Sequence, residues 1–394
     1  MEQILIKSQR KINKVSNNFY RYLYSKINLE NKLSSIIGAR GVGKTTLLLQ
    51  LAQQCKRKVM YVALDDLFFT SNTLYELAEK FQQLGGEVLM LDEVHKYPNW
   101  SRELKLIYDD FDKLSVVFTS SSILDIYKGE SDLSRRALSY NLEEMSFREH
   151  LKLKEEIDLP VLTLEDIIRN HEKIAYNLIE KFKPLRYFNE YVRIGAYPYY
   201  LGNTDEYYQR VLNTINLTLD IDIQSIEGID YSNIAKFKRL LYVISSNVPF
   251  TPNISKLSEK ISLNRNTLVY ALQLLERSKL IQTLFKKNRS ISTLSKPDKI
   301  WMHNTNLNYI ISSNNTDIGN IRETYFIQHL TVLHNLSIPS KGDFFIDDKY
   351  TFEIGGKSKT LKQIEGVENA FIVKDDIEVG INNIIPLWMF GLLY

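Results

Sequence analysis

GARGVGKT, residues 38–45, decides how this chain is read. It satisfies the pattern G-x-x-x-x-G-K-[ST] and lies between an apolar run, LSSII (33–37), and a helical pattern, TTLLLQLAQQC (45–55). Gly38, Gly41 and Gly43 let the backbone turn successive amides inward, so the loop and the helix N-terminus behind it form a concave site for anionic oxygens. Residues 38–46 (Gly38, Ala39, Arg40, Gly41, Val42, Gly43, Lys44, Thr45 and Thr46) therefore form the candidate nucleotide cradle. Lys44 reaches the β- and γ-phosphates, the Thr45 hydroxyl ligates Mg²⁺, and Thr46 begins the packing of the helix. The bland alternative is a glycine-rich strand-to-helix turn that binds nothing. The lysine, the threonine and both flanking elements argue against it.

Outward from the loop, apolar runs alternate with helical patterns: KVMYVAL (58–64), a helix near 72–84, EVLML (87–91), a helix near 100–110, and LSVVFTS (114–120). That alternation is the pattern of a parallel sheet covered on both faces. The fold class expected is α/β, with a P-loop domain at 1–150 that opens on a helical lead-in over 1–31. EVLMLDE (87–93) ends a buried strand in two acids: Asp92 to hold Mg²⁺, and Glu93 to orient and deprotonate the attacking water. An acidic pair idling at a helix N-terminus is the competing reading. Thr119, ending the next strand, is placed to meet the γ-phosphate or the lytic water, or else only satisfies a turn. Of Arg135 and Arg136, adjacent and so divergent, at most one reaches phosphate; a plain surface pair is the equal alternative. His95 is expected to be a surface or helix-start histidine.

GARGVGKTTL, LMLDEVHKYPNW, VVFTSSSILDI and LSRRALSYNLEEMSFREHL, in that order, together resemble the bacterial and archaeal AAA+-type ATPases that carry a poorly characterised C-terminal region. GAYPYY (195–200) and the final third extend the resemblance over most of the chain. It implies a RecA-like αβα ATPase core, then a helical part, a winged helix and a restriction-endonuclease-like fold. It supports Lys44, Thr45, Asp92 and Glu93, suggests Thr119 and Arg136 as sensor and finger-like residues, and implies ATP rather than GTP. Ser120 stands where the group has glycine.

The remaining chain is organised by composition and charge. At 394 residues two or three domains are expected. One cysteine, Cys55, excludes an intrachain disulfide framework and a Cys-rich zinc module, and no apolar stretch is long enough for a signal peptide or a membrane span. A soluble, cytoplasmic protein is the expectation. The net charge is only +3, yet residues 236–299 hold 13 basic and 3 acidic residues, +10 in one block. An anionic partner there, DNA above all, is the functional reading, and a solvated basic face the bland one.

After a helical region at 151–232, residues 233–300 follow a helix-turn-helix pattern with a wing. Ile254, Leu257 and Ile261 precede a turn at Ser262 and Leu263, and Leu268, Leu272 and Leu275 share one helical face. Asn264, Arg265 and Asn266 head the recognition helix, and Lys286, Lys287 and Arg289 at the wing are placed for phosphates. Protein contact or packing is the alternative use. In 301–394, Asp343, Glu353 and Lys357 resemble the acid-acid-lysine set of PD-(D/E)XK nucleases, with Glu323 and Gln363 as accessories. The usual E-x-K is E-I-G-G-K here, which leaves Lys357 too far along the strand unless Gly355 and Gly356 form a bulge.

The expected activity is Mg-dependent ATP hydrolysis coupled to DNA binding. The rivals are a slow nucleotide switch with protein-binding C-terminal modules and an ATP-regulated nuclease. Assembly into a homo-oligomer or with a partner protein is left open.

Overall fold

In the computed structural model the run Leu33–Ile37 is a strand, β1, buried at all five positions. The structure describes residues 1–120, 133, 135–199, 203–224, 231–246, 251–286, 296–312 and 316–394. These residues divide into two units, Met1–Glu143 and Glu144–Tyr394.

In the first unit a helix, α1 (Glu2–Lys14), precedes β1. After it come α2 (Lys44–Gln54), β2 (Val59–Ala63), α3 (Leu74–Gln83), β3 (Val88–Asp92), α4 (Trp100–Asp110), β4 (Ser115–Ser120) and β5 (Leu138–Asn141). The strands form one parallel sheet in the order β2-β3-β4-β1-β5. Continuous apolar strands such as VLML in β3 require cover on both faces, and helices at 3.6-residue periodicity supply it. In α3 the apolar stripe Leu74, Leu77, Ala78 and Phe81 is fully buried, and a Thr73–Glu76 capping box fixes where the helix begins. All strands run the same way, so the loop after β1 and the ends of β3 and β4 meet at one edge of the sheet, where ligands bind in open α/β folds.

The helical lead-in is shorter than the sequence pattern suggests. The helix ends at Lys14, where Val15 is extended, and the aromatic cluster Phe19–Tyr24 runs mostly without regular structure. The Ser-Asn-Asn sequence at 16–18 favours turns over helix.

In the second unit, helices α5 (Phe147–Glu155), α6 (Leu164–Ile179), α7 (Pro184–Ile194), α8 (Thr204–Leu217) and α9 (Tyr231–Ser245) come first. Next are α10 (Ile254–Ile261) and α11 (Arg265–Arg277), joined by a short turn in which Ser262 is left-handed (φ 56°). Ile254, Leu257, Ile261, Leu268, Leu272 and Leu275 are all buried. The strand β6 (Ile281–Leu284) pairs antiparallel with β7 (Lys299–Met302). Lys287 and Arg289 lie outside the described residues.

Two helices, α12 (Thr305–Ser312) and α13 (Ile318–Leu330), lead into β8 (Leu336–Ser337), β9 (Phe344–Ile346), β10 (Tyr350–Gly355), β11 (Ala370–Lys374) and β12 (Ile384–Pro386). Their sheet has the order β12-β11-β10-β9-β8, with β10, β11 and β12 parallel and β8, β9 and β10 antiparallel. Phe326 of α13 stacks against Phe344 and Phe352 on one face. The apolar C-terminal run is part of this core: Trp388, Met389 and Phe390 are buried, and the Tyr325 hydroxyl donates to Trp388 O at 3.0 Å. No described helix is long and apolar enough to cross a membrane.

Candidate functional site

The loop after β1 is shaped by its glycines. A Cβ on Gly38 would stand 2.2 Å from the Leu142 carbonyl oxygen, and Gly41 and Gly43 hold φ of 81° and 99°. A side chain is excluded by contact at the first and disfavoured by backbone conformation at the other two. Behind the loop α2 starts at Lys44, so its unpaired amides and positive dipole end face the cradle. Lys44 is buried, and its Nζ donates to the carbonyl oxygens of Gly38 (2.8 Å) and Ala39 (2.7 Å). Ala39 and Val42 are buried, whereas Gly41, Thr45 and Thr46 are exposed. Packing of the helix begins at Leu47, not at Thr46, because the first turn of α2 faces the cradle rather than the sheet.

Asp92, at the end of β3, is buried and accepts three hydroxyls. Thr45 Oγ1 (2.8 Å) and the Tyr61 hydroxyl (2.7 Å) donate to Oδ2, and Thr119 Oγ1 donates to Oδ1. The loop, Asp92 and Thr119 are thus gathered at one place. Burial, with the Asp92 carboxylate beside it, pushes the Tyr61 phenol far above its ordinary range.

Glu93 takes a left-handed backbone (φ 55°), and its amide donates to Thr119 Oγ1 at 3.0 Å. Its carboxylate pairs with Lys96 at 2.6 Å, and Lys96 pairs in turn with Asp65 at 3.0 Å. Burial pushes the Glu93 carboxyl up, but the Lys96 ammonium outweighs it and holds the group below its usual value. His95 Nδ1 lies 3.4 Å from Ser120 Oγ.

Arg135 is exposed, and Arg136 forks onto Asp109 at 3.1 and 3.2 Å. Arg136 precedes β5, which runs parallel to β1, so it stands at the opposite edge of the sheet from the loop. A strand of this length separates the two edges by ~13 Å, beyond the reach of an arginine in the same chain.

Three residues at this site carry no motif of their own. Tyr61 could have been flagged, because a tyrosine in the middle of a buried strand needs a partner for its hydroxyl. Lys96 is one turn from Glu93 and would have passed for surface charge. Arg21 is buried in the lead-in and braces the loop by donating to Val42 O and, at 2.7 Å, to Glu143 O.

In the second unit Glu323 of α13, Asp343 before β9 and Glu353 of β10 face one another. Lys299 Nζ is 3.8 Å from Glu323 and 3.6 Å from Asp343, and Lys359 pairs with Glu353. Trp301 Nε1 donates to Glu323 at 3.1 Å, and the Ile354 amide donates to Asp343 at 2.9 Å. Burial pushes the Glu323 carboxyl up to about 7 and raises that of Glu353 as well.

The lysine of this set differs from the one the spacing suggests. Lys357 is exposed, and Lys359 reaches the acid instead. Gly355 and Gly356 make a turn rather than a bulge: the Lys359 amide bonds Gly356 O at 3.0 Å. The lysine stem crosses over Gly355, where a Cβ would meet Lys359 Cγ at 2.6 Å. Gln363 is exposed on the short turn Leu361–Ile364. On α11 the Asn264 side chain is the helix cap, accepting the Thr267 amide at 2.8 Å, and Arg265 and Asn266 are exposed in the first turn, as is Lys286 beyond β6.

Residues 30–151, which include all five strands of the first unit and the loop, match the family model described as an AAA domain. Residues 185–317 match a domain of unknown function, DUF8612. Two uncharacterized proteins of Methanocaldococcus jannaschii are each 25% identical to this chain. For MJ1637 the match covers 69% of this chain and 61% of that protein, and for MJ1544 53% and 43%. The chain therefore spans about three fifths and less than half of these relatives' lengths.

Among solved structures, the Walker-type ATPase PABY2304 of Pyrococcus abyssi aligns with a TM-score of 0.40 at 10% identity, covering 77% of this chain and 94% of its own. The ORC1 protein of Aeropyrum pernix, in complex with DNA, aligns with a TM-score of 0.31 at 12% identity, covering 78% and 92%. With the parallel sheet and the loop, the domain match identifies the first unit as an α/β nucleotide-binding domain of the AAA ATPase type.

Proposed function

We propose that this protein is a Mg-dependent ATPase whose nucleotide state sets the DNA affinity of residues 236–299. The observation that carries the reading is the hydrogen bond from Thr45 to Asp92, which joins the first turn of α2 to the end of β3 beside the loop. A hydroxyl and a carboxylate are the hard oxygen donors that Mg²⁺ prefers, so these two residues fit the ion and would hold it. When bound, Mg²⁺ neutralises charge on the β- and γ-phosphates.

The amides of residues 38–46 receive the phosphate oxygens, and the Lys44 ammonium exchanges the Gly38 and Ala39 carbonyls for β- and γ-phosphate oxygens. Glu93 leaves Lys96 and takes a proton from water as the water oxygen bonds to the γ-phosphorus and the bond to ADP breaks. Thr119 positions that water. Arg136, out of reach in its own chain, contributes only in an assembly where a neighbour presents it. With Glu93 held by Lys96, basal turnover is slow.

The helical region at 151–232 and the winged helix-turn-helix at 233–300 carry the response, with Arg265, Asn266 and Lys286 toward DNA and Asn264 capping the helix that presents them. Calorimetry with MgATP and phosphate release with and without duplex DNA test this reading. Heat of binding that Lys44→Ala abolishes, and release stimulated by DNA, are the expected results; no heat with the unaltered protein would end it. Through four to six phosphate contacts, log affinity for DNA would fall against log salt with a slope of about −4 to −5.

A second reading is favoured by the gathering of Glu323, Asp343 and Glu353 with Lys359: a metal-dependent nuclease at 301–394. There Asp343 and Glu353 would hold the cation and Lys359, rather than Lys357, would position water. Strand scission with Mn²⁺ that Asp343→Ala abolishes is its test.

A further inference from the structure

The register of β9 on β10 places the acid cluster at one end of a longer surface. Phe345 pairs with Thr351, and Glu353 stands two residues beyond Thr351 on the same face of β10, one step of ~7 Å along the strand. Around Phe345 and Thr351 opens a cavity of about 660 Å³ that Ser340, Lys341 and Lys286 also line. Lys286 is brought there by a local bridge just past β8: it pairs with Ile338, and the Ile338 amide donates to Phe285 O at 3.1 Å. One cavity thus combines two exposed lysines, one of them from the basic block, with a half-buried aromatic ring and two hydroxyl-bearing side chains, and Thr351 in its wall stands two residues before Glu353 on β10.

Its contents select the occupant. Two ammonium groups call for an anion with more than one charge, and the aromatic face for a flat ring. The volume is that of a small-molecule site, too small for a duplex but sufficient for an unstacked nucleotide. Single strands are held in this way, with the backbone on lysines and bases on aromatic rings. Lys286 belongs to residues 236–299, whose net charge of +10 favours a polyanion over an isolated phosphate ester.

We infer that this cavity is a subsite for single-stranded nucleic acid, taking one unstacked nucleotide with its phosphates on Lys286 and Lys341 and its base against Phe345. The strand then continues toward Asp343 and Glu353, and only this last element rests on the nuclease reading. The duplex reading shares Lys286 with this subsite, so Lys341 and Phe345 are the positions that distinguish the two.

The test measures binding of a fluorescent oligothymidylate and of a matched duplex to the full chain by anisotropy. Lys341→Glu, at an exposed position, is expected to weaken single-strand binding about tenfold, and Lys341→Ala to reduce the salt slope by about 1, with duplex binding unchanged. Phe345→Ala is expected to cost about tenfold, and an iodouracil strand should crosslink at Phe345. Thermal melting separates loss of binding from loss of fold in the Phe345 variant. Single-strand binding unchanged in both the Lys341→Glu and Lys286→Glu proteins, or a crosslink mapping away from β9, would overturn the inference whether or not the protein cuts. Lack of scission by a protein whose binding responds as described would remove the nuclease reading alone and leave the subsite established.

Discussion

Asp92 in the first unit and the Glu323–Asp343–Glu353 cluster in the second are both buried carboxylate centres beside strand ends, but they are compensated in opposite ways. Asp92 is satisfied by three neutral hydroxyls, from Thr45, Tyr61 and Thr119. Its negative charge is not cancelled by them and remains to attract a cation. In the second unit Lys299 and Lys359 already bring two positive charges to three acids, and burial pushes one of these, Glu323, up to about 7. A divalent cation there must compete with two ammonium groups. On the proposed reading the first arrangement would take a metal with its nucleotide, whereas in the second a cation would have to displace ammonium groups. Neutral donors hold a carboxylate in place while leaving its charge in force; charged donors hold it and spend the charge.

The strongest way to break this comparison is Glu93→Gln. Removing the base should lower phosphate release by roughly 10²–10⁴-fold while MgATP still binds, and the melting of the second unit should not change. Hydrolysis that survives would mean that another group takes the proton.

The Glu323 carboxyl gives the next largest effect. Burial raises its folded value from the ordinary 4.5 to about 7, so the folded protein keeps a proton that the unfolded chain releases between those values. Stability should therefore fall as pH rises from about 4.5 to about 7 and level off above. Glu323→Gln should lose that slope and gain roughly 2–3 kcal/mol over the unaltered protein at pH 8, read from denaturant melts in metal-free buffer. A parallel pair of curves would contradict the burial argument.

Lys299→Met sharpens the contrast between the centres. With one ammonium gone, Mn²⁺ should bind the second unit about tenfold more tightly, measured by electron paramagnetic resonance in the absence of nucleotide. An unchanged affinity would show that the lysine does not hold the metal off.

The smallest change is expected from Tyr61→Phe, which takes one of three donors from Asp92. The Mg²⁺ needed for half-maximal hydrolysis should rise about fivefold, near 1 kcal/mol, with little change in kcat. A fall in kcat at saturating Mg²⁺ would place the hydroxyl in the chemistry instead.

The alternation of KVMYVAL, EVLML and LSVVFTS carried the parallel sheet, and GARGVGKT carried the cradle, because both depend on neighbours in sequence: pleat, helical period and glycine backbone freedom. Asp92 was legible for the same reason, as the polar end of an apolar strand. The length of the lead-in helix was misjudged because its aromatic residues keep helical spacing where Ser16, Asn17 and Asn18 turn the backbone. The spacing points to Lys357 because it is counted along a strand that the chain in fact leaves at Gly355, and Lys359 reaches the acid after the turn.

The amino-acid order by itself determined the layers of the first unit, the glycine-rich turn between β1 and α2 and the acids at the end of β3, since each is specified within a few residues by hydrogen-bond spacing and burial period. Tertiary structure alone decided that Tyr61 shares Asp92 with Thr45, that Thr119 meets both Asp92 and the Glu93 amide, that Arg136 stands at the far edge of the sheet, and that two lysines from different segments meet three acids. Those pairings depend on strand order and on side chains dozens of residues apart coming within hydrogen-bond reach. That is a property of how the sheets close, and no local pattern encodes it.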